Sequence, residues 1–493
     1  MATIIATGGG AGGTGGSIQV KQYAELPSKI DDNVISVISD IPMTHYTIDL
    51  RQPEQPDMGE VWVMQYNTDK TLSEGKENGI LNVRIGTVKQ YIDGNWRLKD
   101  AYIDTDGSRI KISNRNSIYG FKIDKNNSDP MTNVEYLDDA VDMEHCYMDY
   151  DKCEFNYGSW KSFIDELCTP VMLNYDGTEA YELDKQNQNQ KVDGTASDIA
   201  NLNFNGNAMV RWKKIYVKAY TDTNYNYIFL SFEKIDENYH CYAFCNDKGV
   251  EQDKIYVPMF KGFEDSGGRL RSIAGQTPTA NINIVDSDTA AKSNGNGWQI
   301  NYFSFWCLRA YILTLISKST DSQTSFGNGN VSTSAPLITG GLKDKGAFYG
   351  YNDNTHQVKC LYSEDVWGNL WDWLNGFAVL TNGDIKSKNY APYSFSNFTN
   401  YQTLETLSSK KTGYLKSAKI TENGILGDDL SGSSSTYFCD NYYLYKSSDN
   451  NYFPCVGGYY SNGSNSGLFY LSCHFSVSDS YSGIGASPFF INP

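Results

Sequence analysis

The sequence predicts an α+β protein built mostly of short strands and loops, with few helices. Three observations carry this expectation. Short apolar or alternating runs are punctuated along the chain by Asn, Asp and Gly; one segment, residues 298–317, has sustained helical spacing; and 37 Tyr and 44 Gly beside 13 Pro and 5 His make a turn-rich, β-rich surface. At 493 residues the chain is too long for one compact unit, and 40% apolar residues suffice for a sizeable core.

Residues 1–18 form a Gly-rich lead without the GK[ST] of a phosphate-cradling loop, so a flexible tether is expected. Residues 19–160 read as a small β-rich region. Val61-Trp62-Val63-Met64 and Leu81-Asn82-Val83-Arg84-Ile85 are strand-like, and Asp93-Gly94 and Asp106-Gly107 are turn signals between further short runs. A boundary is expected near Gly158-Ser159-Trp160, with residues 161–493 as the larger domain. Inside it, 208–212 and 227–230 read as strands. Helix 298–317 carries Ile300, Phe303, Cys307, Ala310, Tyr311 and Thr314 at helical spacing, and Phe305, Trp306, Leu308 and Leu313 widen the stripe. A helix apolar on nearly every side is a buried one.

Several function classes are excluded. A net charge of −17 with no basic run argues against nucleic acid as a partner. The longest apolar stretch falls short of a bilayer span and contains Arg309, so no membrane insertion is expected. The opening residues have neither a basic nor an apolar leader region, so synthesis in a cytoplasm without a signal peptide is expected. Ten irregularly spaced cysteines read as small buried hydrophobes. His240-Cys241 with Cys245, and His145-Cys146 with Cys153, lack a second pair at zinc spacing. No metal site and no cofactor are expected; loop Asp and Asn oxygens leave room for a structural calcium, although no EF-hand-like loop is present. GxSxG, HExxH and GxxxxGK[ST] are all missing, and the pairs Glu364-Asp365, Asp428-Asp429 and Asp138-Asp139 read as solvated faces. The chain is therefore read as a non-enzyme.

Three landmarks then carry a resemblance. Asp365-Val366-Trp367-Gly368-Asn369-Leu370-Trp371-Asp372-Trp373 is similar to the GN-W-EW box of the formylglycine-generating-enzyme (sulfatase-modifying-factor) family. Val456-Gly457-Gly458-Tyr459-Tyr460 resembles that family's RGGSW/Y box, and Gly483-Ile484-Gly485 stands where its terminal IGFR would be. The match covers roughly residues 166–493. With GNAMV at 206–210, GGRLRS at 267–272 and the Tyr/Ser/Asn-rich tail, the chain resembles more closely the phage tail proteins of this fold. These include variable proteins of diversity-generating retroelements. The resemblance implies a C-type-lectin-like domain that binds a host-cell surface glycan or protein, a virion location in a tail or fibre, contacts with other tail proteins, and a homotrimer. It makes residues 19–160 an attachment region. The alternative that stays open is an architectural virion protein, such as a baseplate, decoration or fibre component.

Departures from the family matter for chemistry. Ala486-Ser487 replaces the Arg after IG, and Val456 replaces the Arg before the glycine pair. The two copper-binding thiolates of the family's oxidases fall at Asn462 and Gly467, while Cys473 falls on a structural cysteine. Neither Asn462 nor Gly467 supplies the soft thiolate that selects Cu(I).

A binding surface is expected instead. In 467–477, alternation puts Phe469, Leu471, Cys473, Phe475 and Val477 toward the core and Tyr470, Ser472, His474 and Ser476 outward. His474 is either an exposed contact residue or a satisfied structural histidine. Tyr442, Tyr443 and Tyr445, then Tyr459, Tyr460, Ser461, Asn462, Ser464 and Asn465, crowd Tyr, Asn and Ser into two short loops. Such residues give contact area at low entropy cost and adaptable hydrogen bonds. Their adenine-rich codon types resemble the diversified positions of retroelement targets; a Tyr/Asn-rich protein with loops to match is the open alternative. Trp367, Trp371 and Trp373 read as core rather than as a ligand cage.

Overall fold

The order of pairing along the chain sets the architecture. The computed structural model describes residues 117–493 apart from Asp142, and before them only a set of short strands. Two compact units result, Met1–Ile118 and Tyr119–Pro493. In the first, Gln19–Tyr23, Val34–Ile38, Asp100–Thr105 and Ser108–Lys111 form one four-stranded sheet, and Tyr46–Asp49, Val61–Gln65, Ile85–Ile92 and Asn95–Leu98 form another. The expected strand 81–85 is divided: Ile80–Leu81 pairs with Lys76–Glu77, while Ile85 opens the strand that pairs with Val61–Gln65. The expected tether at 1–18 and the turn signals Asp93-Gly94 and Asp106-Gly107 lie outside the described residues.

The second unit starts well before the expected boundary at residue 160. Tyr119–Asp124 pairs antiparallel with both Val134–Asp138 and Tyr225–Ser231, and the latter pairs with Tyr216–Thr221. Trp160 is fully buried, with its ring 5.5 Å from Tyr119 and 5.7 Å from Tyr136. The Gly-Ser-Trp signal read as a boundary therefore sits at an aromatic core, at the start of α1 (Lys161–Leu167).

Two six-stranded sheets carry the rest. The first is antiparallel and contains β1 (Cys168–Asn174), β2 (Glu179–Glu182), β3 (Gly206–Lys213), β4 (Lys254–Pro258), β5 (Trp298–Ile300) and β12 (Pro488–Phe490) in the order β2-β1-β3-β4-β12-β5. The second contains β6 (Trp371–Trp373), β7 (Lys411–Tyr414), β8 (Asn441–Leu444), β9 (Phe453–Val456), β10 (Leu471–Phe475) and β11 (Ile484–Gly485) in the order β7-β8-β10-β9-β6-β11. Its β8–β10 and β6–β11 pairs are parallel. Helix α2 (Ile284–Lys292), capped by the Asn283 side chain on the Asp286 N–H, covers this second sheet. Ile284, Ala290 and Ala291 share a core there with Trp371, Trp373, Phe453, Cys455, Tyr470 and Ile484.

The long helix α3 is shorter than expected, running Phe303–Ser317. Trp298-Gln299-Ile300 fits either helical or strand spacing, and pairing with Pro488–Phe490 decides for β5. Every residue of α3 except Ser304 is buried, as the all-round apolar spacing predicted. Phe305 packs on Trp212 and Phe489 at 5.0 and 5.1 Å, Phe303 packs on Phe377 at 4.9 Å, and the Trp306 indole donates to the Leu468 carbonyl at 3.1 Å. Each such large side chain contributes about 2 kcal/mol by leaving water. α4 (Ser322–Phe326) follows, with Asp321 as its N-cap. Strands thus dominate and helices are few. Among the described residues no helix is long and apolar enough to cross a membrane.

Candidate functional site

The three sequence boxes meet in the second sheet. β6 of the WGNLWDW box lies between β9, which runs into Gly457-Gly458, and β11 of the terminal IG. Trp367, Trp371 and Trp373 are all buried, with the Trp367 and Trp373 indoles donating to the carbonyls of Gly327 (3.0 Å) and Ile282 (2.8 Å). They are core, as expected. Asn369, also buried, is a four-way joint. Its Oδ1 accepts from the Leu337 N–H at 2.7 Å and Asn330 Nδ2 at 3.0 Å, and its Nδ2 donates to the Leu337 carbonyl and to Asp365 Oδ2.

Glu364-Asp365 is not a solvated face. Both residues are buried: Glu364 accepts the N–H groups of Gly340 and Leu342 at 2.7 and 2.8 Å, and Asp365 accepts from Gln357 and Asn369. Burial pushes the Asp365 carboxyl up to about 7, with the Glu364 charge adding to the shift. The acidic pair belongs to a buried polar joint, and the sequence alone could not distinguish that from an acidic surface.

Directly after β9, Gly457 and Gly458 have φ of +89° and +87°. A Cβ at Gly457 would meet the Val366 carbonyl at 2.9 Å, and one at Gly458 would sit 2.2 Å from Ser466 Oγ. Gly457 is needed because the chain passes against the first box there, and Gly458 because it passes against Ser466. From this point the 459–465 segment emerges. Ser461 and Ser464 are exposed, and Tyr459, Tyr460, Asn462 and Asn465 are half-buried. The Tyr459 ring sits 5.0 Å from Tyr460 and 5.6 Å from Tyr481, and the Tyr459 and Tyr481 hydroxyls are 3.1 Å apart. Burial, then the Tyr481 hydroxyl, pushes the Tyr459 phenol up to about 12, so it stays a neutral donor. Tyr414 reaches Ser464 at 3.3 Å. Asn462 is partly structural: its Oδ1 accepts the Tyr459 N–H at 2.9 Å.

The remaining expected contact residues divide. Tyr443 and Tyr445 are half-buried beside His474, with ring separations of 6.2 Å between the tyrosines and 5.1 Å from Tyr443 to His474. His474 shares a hydrogen bond with Ser472 Oγ at 2.7 Å, and burial holds its imidazole below the usual range against the pull of Asp479. Tyr442, Tyr470 and Ser472 do not face solvent; their exposures are 0%, 8% and 2%. The segment holding Tyr442 is strand β8 rather than a loop, so alternation sends Tyr442 and Leu444 inward and Tyr443 toward the other face. The expected strand at 467–477 is only β10; it is paired on both edges, and Leu471, Ser472 and Cys473 are buried in succession, so both of its faces are covered there. Tyr470 packs on Trp371 at 4.3 Å. Phe469, Leu471 and Cys473 are buried as expected, whereas Phe475 is half-buried and Val477 exposed beyond the sheet's cover.

Tyr481 and Tyr414 join the surface without having been singled out. The signal for Tyr481 was its place in the same Ser/Gly-rich tail, Asp479-Ser480-Tyr481-Ser482-Gly483; Tyr414 gave none, because sheet pairing across β7 and β8 brings it there.

Cys153 alone of the ten cysteines is exposed. Cys455 and Cys473 lie on the neighbouring strands β9 and β10, and burial raises both thiols well above their ordinary range. Among the described residues no group of three or more His, Cys, Asp and Glu side chains is placed to hold a metal ion. The chain matches no family model and no curated protein.

Proposed function

We propose that this chain is a phage virion adhesin whose C-terminal, C-type-lectin-like domain binds a host-cell surface glycan or protein through the 459–465 segment, without doing chemistry. The observation that carries the reading is the outward cluster of Tyr459, Tyr460 and Tyr481 with Ser461 and Ser464, raised on the sheet where the three boxes meet. Rigid aromatic rings beside small hydroxyl side chains suit the recognition of sugars and protein surfaces alike. In this reading the first unit attaches the chain to other tail proteins, and a homotrimer multiplies weak contacts into firm adhesion.

Binding is favoured over oxidase chemistry by the two positions where thiolates would stand. Asn462 holds the loop through its own amide. A Cβ at Gly467, with φ +156°, would fall 1.9 Å from Asp440 Oδ1, so the backbone there admits no cysteine without rearrangement. The test is adsorption of the full chain to host cells. Tyr459→Ala and Tyr481→Ala are expected to weaken it tenfold or more, about 1.4 kcal/mol, in the manner of aromatic contact residues. Adsorption unchanged by both substitutions would favour the architectural reading.

A further inference from the structure

A cleft of about 530 Å³ is bordered by the end of α2, β5, residues 391–393 and Asn375, just past the first box. Asn375, which lines it, is only 2% exposed. The Asn375 Nδ2 donates to Asp288 Oδ1 at 3.0 Å, which fixes the orientation of the amide and leaves Oδ1 as its other end. That oxygen is buried and has no hydrogen-bond partner among the described residues. Gln299 of β5 also lines the cleft at 7% exposure, and its side-chain amide makes no hydrogen bond among them either. Buried polar groups are almost always paired, so an unsatisfied amide oxygen in a cleft, with a second amide beside it that has no protein partner, points to a polar occupant.

The charges narrow its chemistry. The second oxygen of Asp288 takes Lys292 at 2.5 Å, so that carboxylate is already compensated and offers little to a cation. Asp247 at the rim opposes an anion, while Asp288 and Lys292 cancel one another. What remains free is an amide acceptor, a complete amide and the apolar surface of Tyr393 and Pro392. Hydroxyl groups donate and accept at once, and a pyranose ring has an apolar C–H face to set against an aromatic wall. We propose that this cleft binds a neutral, hydroxyl-rich ligand of one or two pyranose rings, with one hydroxyl donating to Asn375 Oδ1 and another exchanging hydrogen bonds with Gln299.

The full chain is titrated with the methyl glycosides of glucose, galactose, mannose and N-acetylglucosamine, followed by saturation-transfer NMR and calorimetry. At least one is expected to bind at millimolar concentration. Gln299→Met, which removes no hydrogen bond of the protein, should weaken that binding about fivefold while leaving the melting temperature unchanged. Asn296→Trp, at the exposed mouth, should abolish it with the circular dichroism intact. Tyr459→Ala should leave it unaltered, which separates this cleft from the adhesive surface. No binding by any of the four glycosides, or binding indifferent to both cleft variants, overturns the proposal and leaves a cleft that holds water only.

Discussion

The segment at 441–445 and the segment at 459–465 share Tyr and Asn and end in different environments. Both are crowded with Tyr and Asn, yet Tyr442 is fully buried in β8 while Ser461 and Ser464 stand in solvent. The difference lies in the backbone. A strand paired on both sides divides its side chains between two faces, whereas a segment that leaves the sheet through a glycine pair is free of that division and buries none of its side chains fully. Composition marks an exposed surface only where the backbone has already left the sheet.

Four measurements break or sharpen this contrast. The largest effect is expected at Tyr442. Truncation to Ala empties a site enclosed by strands and by Gly427, whose added Cβ would lie 2.8 Å from the ring, and should cost about 3–5 kcal/mol in urea unfolding. Tyr459→Ala, at the half-buried end of the contrast, should cost less than half as much; equal losses would erase the distinction.

Next is Asp365. Its folded carboxyl titrates near 7, above the ordinary 3.8, so the fold disfavours the charged form and stability falls as pH rises between those values. Asp365→Asn should therefore stabilise increasingly from pH 4 to pH 8, by up to roughly 4 kcal/mol for a three-unit shift. A pH-independent difference would mean that the joint tolerates the charge.

His474 gives a smaller effect of opposite sense. Burial holds its imidazole below 6.5, so stability is complete above that pH and declines as acid protonates the unfolded chain first. His474→Gln should flatten this acid limb of the pH–stability profile. An unchanged slope would place the titration elsewhere. Smallest of all, Ser461→Ala and Ser464→Ala should shift stability by no more than about 0.5 kcal/mol, while population sequencing should find these codons variable and Phe469 and Leu471 fixed. Uniformly low variation across the segment would remove the case for diversification.

Where one period dominated, the sequence was readable. The all-round apolar run of α3 and the β-branched and aromatic runs of β3 and of Tyr225–Ser231 needed no tertiary information. It failed where two periods fit, as at Trp298-Gln299-Ile300, and where cover on a second face overrode alternation, as at Tyr470 and Ser472. The division at residue 118 was missed because Gly158-Ser159-Trp160 looks like a boundary until Tyr119 and Tyr136 are folded against the indole. Of the site, the central tyrosines and serines were legible; Tyr414 required knowledge of which strands pair.

The way the 459–465 segment is held has a consequence for how such a surface can change over time. Its main chain is tied to two neighbouring segments at three points: the Tyr460 N–H donates to the Asn369 carbonyl, its carbonyl accepts from the Thr333 N–H, and the Gly463 N–H donates to the Val331 carbonyl. Side chains add to this anchoring at Asn462, which accepts the Tyr459 N–H, and through the hydroxyl pairs Ser464–Tyr414 and Tyr459–Tyr481. Backbone ties are indifferent to the letters they carry, so the lettering can be rewritten at most positions while the shape persists. A lineage of such proteins could change what this surface presents without learning to fold again, provided Asn462 and Gly463, whose φ is +57°, keep their places.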